Sequence, residues 1–321
     1  MAQIATTFSA YDAIGIREDL SDVIALIDPT KTPVLTAIGT GEPAAAKTVE
    51  WQTQALASAA QNHQIEGDDL ATYTAVTATA RIGNYLSISR KEFLISETEQ
   101  AVKKAGRASE SGFQLELKLA ELKRDMETNI TANNAAVAGN DTTASETGGL
   151  GAMIGTNVSM GAGGANPSWT SGQPTTARTD GTQRAFTESL LQAAHQLCAE
   201  NGAEPSMLLT GAFNKRIVSG FPGIAGQRFM ASGQQQSTIV AAADVYLGDF
   251  GTLQVTFDLF QRSRDAWLLD PNKARVRYLR PTKVTPMAKT GDADKWLIRN
   301  EYALMVDTEK AHGLVADLTT S

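Results

Sequence analysis

One stretch of this chain constrains its fold more than any other, because it can only fold against something else. Thr48-Val49-Glu50-Trp51-Gln52-Thr53-Gln54 alternates Val49, Trp51 and Thr53 with polar neighbours, and Thr72 to Ala80 is a Thr-rich, strand-like run. The connection between them, Ser58 to Leu70, carries AAQNHQIEGDD and is longer and more polar than a tight turn. Arms of about nine residues reach ~30 Å, and a lone two-stranded ribbon is at best marginally stable in water. A projecting ribbon therefore needs another surface to lie on. The alternative is two strands of one compact sheet.

The segment before it has the same dependence. Residues 1–45 are interrupted by Asp28-Pro29, Thr32-Pro33 and Gly39-Thr40-Gly41-Glu42-Pro43, with no sustained period of 2 or 3.6. They read as an extended arm with one short helix near Leu20–Ile27. After the ribbon, Tyr85–Ser89 is strand-like, and Ser96-Glu97-Thr98-Glu99 forms a capping box. Leu115, Leu119, Leu122, Met126 and Ile130 then make one apolar stripe. They predict a long helix over 112–137, ~39 Å at 1.5 Å per residue, with a kink or break near Gly106 and Gly112. Such a helix is a strut; its heptads stop too soon for a coiled coil.

Residues 139–183 are rich in Gly, Ser, Thr, Asn and Ala, and predict a draped surface loop with one or two short strands. A second helix carries Phe186, Leu190, Leu191, Ala194, Leu197 and Cys198 on one face and stops at Asn201-Gly202. Strands are predicted at Ser206–Thr210, Leu253–Asp258, Ala266–Asp270, Arg275–Arg280, Lys283–Ala288 and Lys295–Asp307. The Gly/Asp-rich turn Lys289 to Asp294 makes the last two a hairpin. The fold class is α+β, without strict β-α alternation or a repeat.

Composition narrows the function. The chain has 28 basic and 35 acidic residues in 321, a net charge of −7, which argues against a protein that grips nucleic acid. A container whose wall merely faces DNA stays open. Cys198 is the only cysteine, so no intramolecular disulfide is possible. No signal peptide is read at the N-terminus and no run approaches a membrane span; a soluble chain, cytoplasmic while it is made, is expected.

Each candidate chemistry meets a plainer reading. Gly149-x-Gly151-x-x-x-Gly155 faintly resembles a dinucleotide loop but follows no strand and opens no helix. His195 and Cys198 at i and i+3 suggest a thiol–imidazole pair, yet Cys198 lies in the apolar stripe and reads as a buried small hydrophobe. With one Cys, His63 and His312 complete no zinc spacing. Glu66, Asp68 and Asp69 cluster at the ribbon tip, where they suit a hard cation, open solvent, or an Arg on a neighbour. Arg262, Arg264, Arg275, Arg277 and Arg280 are the densest basic positions, for surface pairing or for subunit or DNA contact. No catalytic, cofactor-binding or metal-ligating residue is predicted.

In order, the parts are an arm, a long ribbon, a strut helix, a mixed domain and a late hairpin. That order, with TPVLTAIG (Thr32–Gly39), VEWQTQAL (Val49–Leu56), RIGNYLSISRKEF (Arg81–Phe93), ELKRDME (Glu121–Glu127) and NEYALMVDTEKAHG (Asn300–Gly313), resembles tailed-phage major capsid proteins of the HK97 fold across essentially the whole chain. The resemblance implies an N-arm at 1–45 and an extended hairpin, the E-loop, at 46–90. It implies a peripheral domain at 91–138 and 281–299, with the spine helix at 112–137, and an axial domain at 139–280 and 300–321. It further implies self-assembly into hexamers and pentamers of an icosahedral shell around double-stranded DNA, without a cofactor. A portal, a separate scaffolding protein and a decoration protein are the implied partners. Trp51, Glu66, Asp68, Asp69, Tyr73, Arg81, Arg262 and Arg264 are the candidate contacts between subunits. Some family members weld neighbours through an E-loop Lys. Here no Lys lies between Lys47 and Lys91, which implies a shell held without covalent links. The alternatives are an encapsulin-like compartment or a phage tail or decoration component.

Overall fold

A computed structural model describes residues 30–69, 73, 75–103, 106, 109–221 and 244–321; the helix predicted near Leu20–Ile27 lies outside them. The strut helix α3 runs Glu110–Thr131. Ser109 caps it by accepting a hydrogen bond from Gly112 N at 3.4 Å. Twenty-two residues give a rod ~33 Å long. Leu122, Met126 and Ile130 of the apolar stripe are buried. The helix ends six residues before its predicted limit because two asparagines bond outside it. Asn133 donates to Arg178 O at 2.7 Å and Asn134 to Thr147 O at 2.8 Å. Such side chains compete with helical backbone pairing. The capping box forms as expected at α2, Glu97–Ala101, where Ser96 Oγ accepts from Glu99 N.

Under α3 lies an antiparallel three-stranded sheet in the order β11-β12-β3, with β3 at Ser87–Ser96, β11 at Ala274–Pro286 and β12 at Ala293–Val306. Lys91 of β3 pairs with Asp125 of α3 at 2.7 Å, and Asn300 of β12 meets Met126 Sδ at 3.0 Å, so α3 covers the face that carries these residues. The hairpin turn at 289–294 forms as predicted. The two strands expected at 275–280 and 283–288 are instead one strand with register shifts between Tyr278 and Lys283. Pro281 sits in that interval and has no N–H for the ladder, which is where a bulge belongs.

A second, six-stranded sheet has the order β4-β13-β10-β7-β9-β8. Its strands are β4 Val158–Ser159, β7 Met207–Thr210, β8 Val245–Gly248, β9 Gly251–Phe257, β10 Ala266–Leu269 and β13 Gly313–Val315. Helix α5, Glu188–Glu200, buries Leu191, Ala194, His195 and Cys198. One core joins the sheets, packing Leu209, Trp267 and Leu314 with Val276, Tyr302 and Leu304.

Two stretches read as peripheral enter that core. The arm was expected to be extended through residue 45, but Pro33–Ile38 forms helix α1, with Val34 and Ile38 buried beside Met126 and Ile130. Its first amides are held by Glu127, whose carboxylate accepts from Val34 N at 2.7 Å and Leu35 N at 2.9 Å. In the Gly-rich segment, α4 at Leu150–Met153 is wholly buried. A Cβ on Gly149 would stand 2.4 Å from Ala132 O and one on Gly151 2.7 Å from Asn133 Cα, so these glycines admit the end of α3. Most of the rest of 139–183 is surface loop carrying short strands, as expected, among them the hairpin of β5, Ser168–Thr170, with β6, Gln173–Thr176.

Candidate functional site

The ribbon divides into a rooted base and a bare distal part. Its base pairs β1, Thr48–Thr53, with β2, Ala80–Tyr85, in antiparallel register from Thr48↔Tyr85 to Thr53↔Ala80. The partner strand predicted at 72–80 is thus displaced: the described residues of Thr72–Ala80 make no ladder before Ala80, and Arg81–Tyr85 supplies the pairing. Burial decides this, because Ile82 and Asn84 of β2 reach the body whereas Tyr73 and Val76 of the Thr/Ala run stay exposed. Val49 is buried, and Trp51 packs half-buried against two core clusters. Asn84, fully buried, fixes the root. It donates to Leu304 O at 2.8 Å and Gly148 O at 3.1 Å, and accepts from Gly148 N at 2.8 Å.

Beyond Thr53 and Ala80 the two arms are linked by side chains, with Thr79 Oγ1 to Gln52 Oε1 at 3.0 Å and Gln54 Nε2 to Thr77 O at 3.3 Å. Leu56 is 98% exposed, Val76 94%, Ile65 81% and Tyr73 81%. At the tip Asp68 N bonds Ile65 O at 3.1 Å with Gly67 at φ 82°, a turn that needs glycine at its third position. Glu66, Asp68 and Asp69 are exposed there, and none has an ion-pair partner among the described residues.

The remaining candidates have partners within the chain. Arg81 is ion-paired with Glu50 across the ribbon. Arg262 bonds Asp180 at 2.5 Å, and Arg264 bonds Asp317 at 2.7 Å. They belong to a charged cluster that sequence reasoning missed, centred on Arg178, whose side chain is fully buried and grips both Asp265 oxygens at 2.9 Å. Asp265 is 87 positions from Arg178, a separation no local pattern reveals. The structure therefore brings Arg262 and Arg264 together with each other, but not with the ribbon tip.

Cys198, His195 and His312 are all buried. Burial pushes the Cys198 thiol up to about 12 and lowers His195, the reverse of an activated thiolate pair. His312 is buried, its pKa lowered by that burial to about 4, and its Nδ1 accepts from Asp270 N at 3.2 Å. Among the described residues no group of three or more His, Cys, Asp or Glu side chains is arranged to hold a metal, and no helix is long and apolar enough to cross a membrane. A cleft of about 710 Å³ runs beneath the ribbon, with Leu56, Ile82, Met153, Trp169 and Val306 among its lining residues. Glu309, also in its lining, is engaged by Gly155 N and Thr156 N.

A projecting ribbon, a strut helix over a three-stranded sheet and a separate mixed sheet define the HK97-like capsid fold. Solved structures agree. The capsid of cyanophage A-1(L) superposes with TM-score 0.66 at 13% identity, over 95% of this chain and 97% of the other. That of cyanophage P-SCSP1u gives 0.61 at 9%, over 99% and 97%. The SrpI encapsulin complex of Synechococcus elongatus gives 0.55 at 11%, over 95% and 94%. The chain belongs to the SU10 major capsid protein family, whose model matches residues 2–319. It is also 33% identical over 132 residues to a major capsid protein of Escherichia phage Phieco32, a match spanning 40% of this chain and 37% of that protein.

Proposed function

We propose that many copies of this chain close into the icosahedral head shell of a tailed phage around double-stranded DNA, as a structural subunit and not an enzyme. The observation that carries this is the set of exposed apolar side chains on the distal ribbon, Leu56, Ile65, Tyr73 and Val76, left in water by their own chain. Exposed apolar groups in a segment with no core of its own call for a partner surface, and membership of a capsid family supplies the kind of partner: another copy. Shells built this way use obligate interfaces, which typically bury 2,000 Å² or more in total.

The division into N-arm, E-loop, peripheral and axial domains is part of this reading. Glu66, Asp68, Asp69 and Tyr73 make its primary contacts between subunits, with Trp51 and Arg81 at the ribbon root and Arg262 and Arg264 on the axial part secondary. A separate scaffolding protein, a portal and a decoration protein complete the head, which assembles in the host bacterial cytoplasm. DNA is touched without sequence preference, consistent with a net charge of −7. The ribbon holds no Lys, which supports a shell without covalent cross-links from that hairpin.

Deleting residues 58–69 tests the proposal. The variant is expected to give a folded subunit with unchanged circular dichroism that forms no shells in negative stain; normal shells would remove the argument. The likeness to an encapsulin favours a second reading, a compartment for protein cargo. Purified particles containing protein cargo and no DNA would select it.

A further inference from the structure

We propose that residues 20–27 of this chain form a helix that covers the bare end of the chain's own six-stranded sheet, on the same face as α1. The inference concerns the single subunit and goes beyond the shell reading, which stands or falls apart from it. Residues opposite one another in a sheet share a face. One face carries Trp267 and Leu269 of β10, Met207 and Leu209 of β7, and then Gln254 and Thr256 of β9. The register continues to the edge strand β8, where Val245 lies opposite Gln254 and Leu247 opposite Thr252.

Over β10 and β7 this face is buried in one cluster with Val34 and Ile38 of α1 and Met126 and Ile130 of α3. Over β8 it is bare. Val245 is 55% exposed and Leu247 67%, whereas the other face of the same two strands buries Tyr246, Leu253 and Val255. The covering layer thus stops short of the sheet's edge. An apolar sheet face is stable when another element lies on it, and apolar side chains left out of such a layer mark a contact surface.

The chain arrives at that place with a segment suited to it. A groove of about 460 Å³, with Lys31, Pro33, Met207, Gln254 and Thr256 in its lining, joins the first described residues to this face. Just upstream, Leu20, Val23, Ile24 and Ile27 fall at i, i+3, i+4 and i+7, one helical stripe, with Asp19 and Asp22 off it. Asp28-Pro29 ends such a helix, because the residue before a proline avoids helical backbone. Residues 28–30 then span at most ~10 Å. Two strand spacings, from β7 to β8, are also ~10 Å, and a helix is about as wide. So short a link keeps the helix on the copy that carries it. A helix this short is marginal alone in water. The stripe needs a surface, and the end of the sheet needs a layer.

Hydrogen exchange on the full-length subunit before assembly is the test. Amides of residues 20–27 are expected to exchange about tenfold or more slowly than in an unstructured chain, at every protein concentration. Leu247→Asp on the sheet, or Ile24→Asp on the stripe, should remove that protection, and Asp22→Ser, off the stripe, should keep it. Leu247 is exposed in the described fold, so its variant should melt like the wild type; Leu247→Ser replaces it if it does not. Placement is read from Ile24→Cys and Leu247→Cys in one chain, whose native Cys198 is buried. A disulfide within the monomer is expected on a non-reducing gel. Wild-type residues 20–27 that exchange freely overturn the proposal, as does protection that survives both Leu247→Asp and Ile24→Asp. A disulfide found only between two chains, or protection that grows with concentration, also overturns it and assigns the face to a second copy.

Discussion

Glu127 is fully buried, and that burial opposes its ionisation. Its two oxygens hold the first amides of α1 at 2.7 and 2.9 Å, tethering the first described helix of the chain to the strut. Burial raises its pKa from 4.5 to about 7; the bonds from Leu35 N and Val34 N oppose the rise and the nearby Asp258 adds to it. Each tenfold change in acidity is worth about 1.36 kcal/mol, so the carboxylate costs the folded state roughly 3 kcal/mol once it is ionised. A carboxyl whose folded pKa is raised contributes stability that is fully present below pH 4.5 and lost as pH rises through about 7. Glu127→Gln keeps the shape and one acceptor but cannot ionise. Urea unfolding of the wild-type and variant subunits at several pH values between 4.5 and 8 isolates the term. Relative to Glu127→Gln, the wild type is expected to lose roughly 3 kcal/mol across that window, mostly between pH 5 and 7.5. Hydrogen exchange at Val34 and Leu35 should accelerate in the variant, since one capping bond is gone. A stability difference that stays flat with pH would refute the reasoning, because it would mean that Glu127 ionises in the fold as it does in water.

Two further substitutions probe the scaffold that presents the ribbon. Asn84→Ala removes the bonds to Leu304 O and Gly148 and leaves buried backbone groups unpaired, a loss of about 3 kcal/mol measured by denaturant unfolding, with exchange rising first at the ribbon root. Asp265→Ala leaves the Arg178 guanidinium buried without its carboxylate and should cost about 3–5 kcal/mol, whereas Arg178→Met with Asp265→Leu should be close to neutral in thermal melting. A double variant as unstable as the single one would show that the pair is more than mutual compensation.

Much of the fold was legible because its signals are local. Ser96 and Glu99 lie one helical turn apart and made the cap that the capping box predicts. The stripe through Leu122, Met126 and Ile130 faces the core, and Asp292 and its neighbours close the hairpin of β11 and β12. The ribbon's existence was also legible, in its alternating residues and in the absence of anything adjoining to bury them. Its pairing was not. Thr72–Ala80 is as strand-like as Arg81–Tyr85, and the choice between them fell to Asn84, whose partner Leu304 lies 220 positions away.

The same distinction governs the sites. By itself the sequence determined that residues around 54–79 lack the means to stabilise themselves, that the tip is acidic, and that no Lys is available there for a link, since these follow from composition alone. Only the tertiary structure decided that Pro33–Ile38 belongs to the core, that Arg262 and Arg264 meet Asp180 and Asp317, and that Arg90, Arg299 and Lys283 share a row. Helix caps and periodicity act over a few residues, whereas strand register and buried charge join segments that are strangers in sequence. The acidic tip could be read from its letters; the cationic row exists only once three distant strands lie side by side.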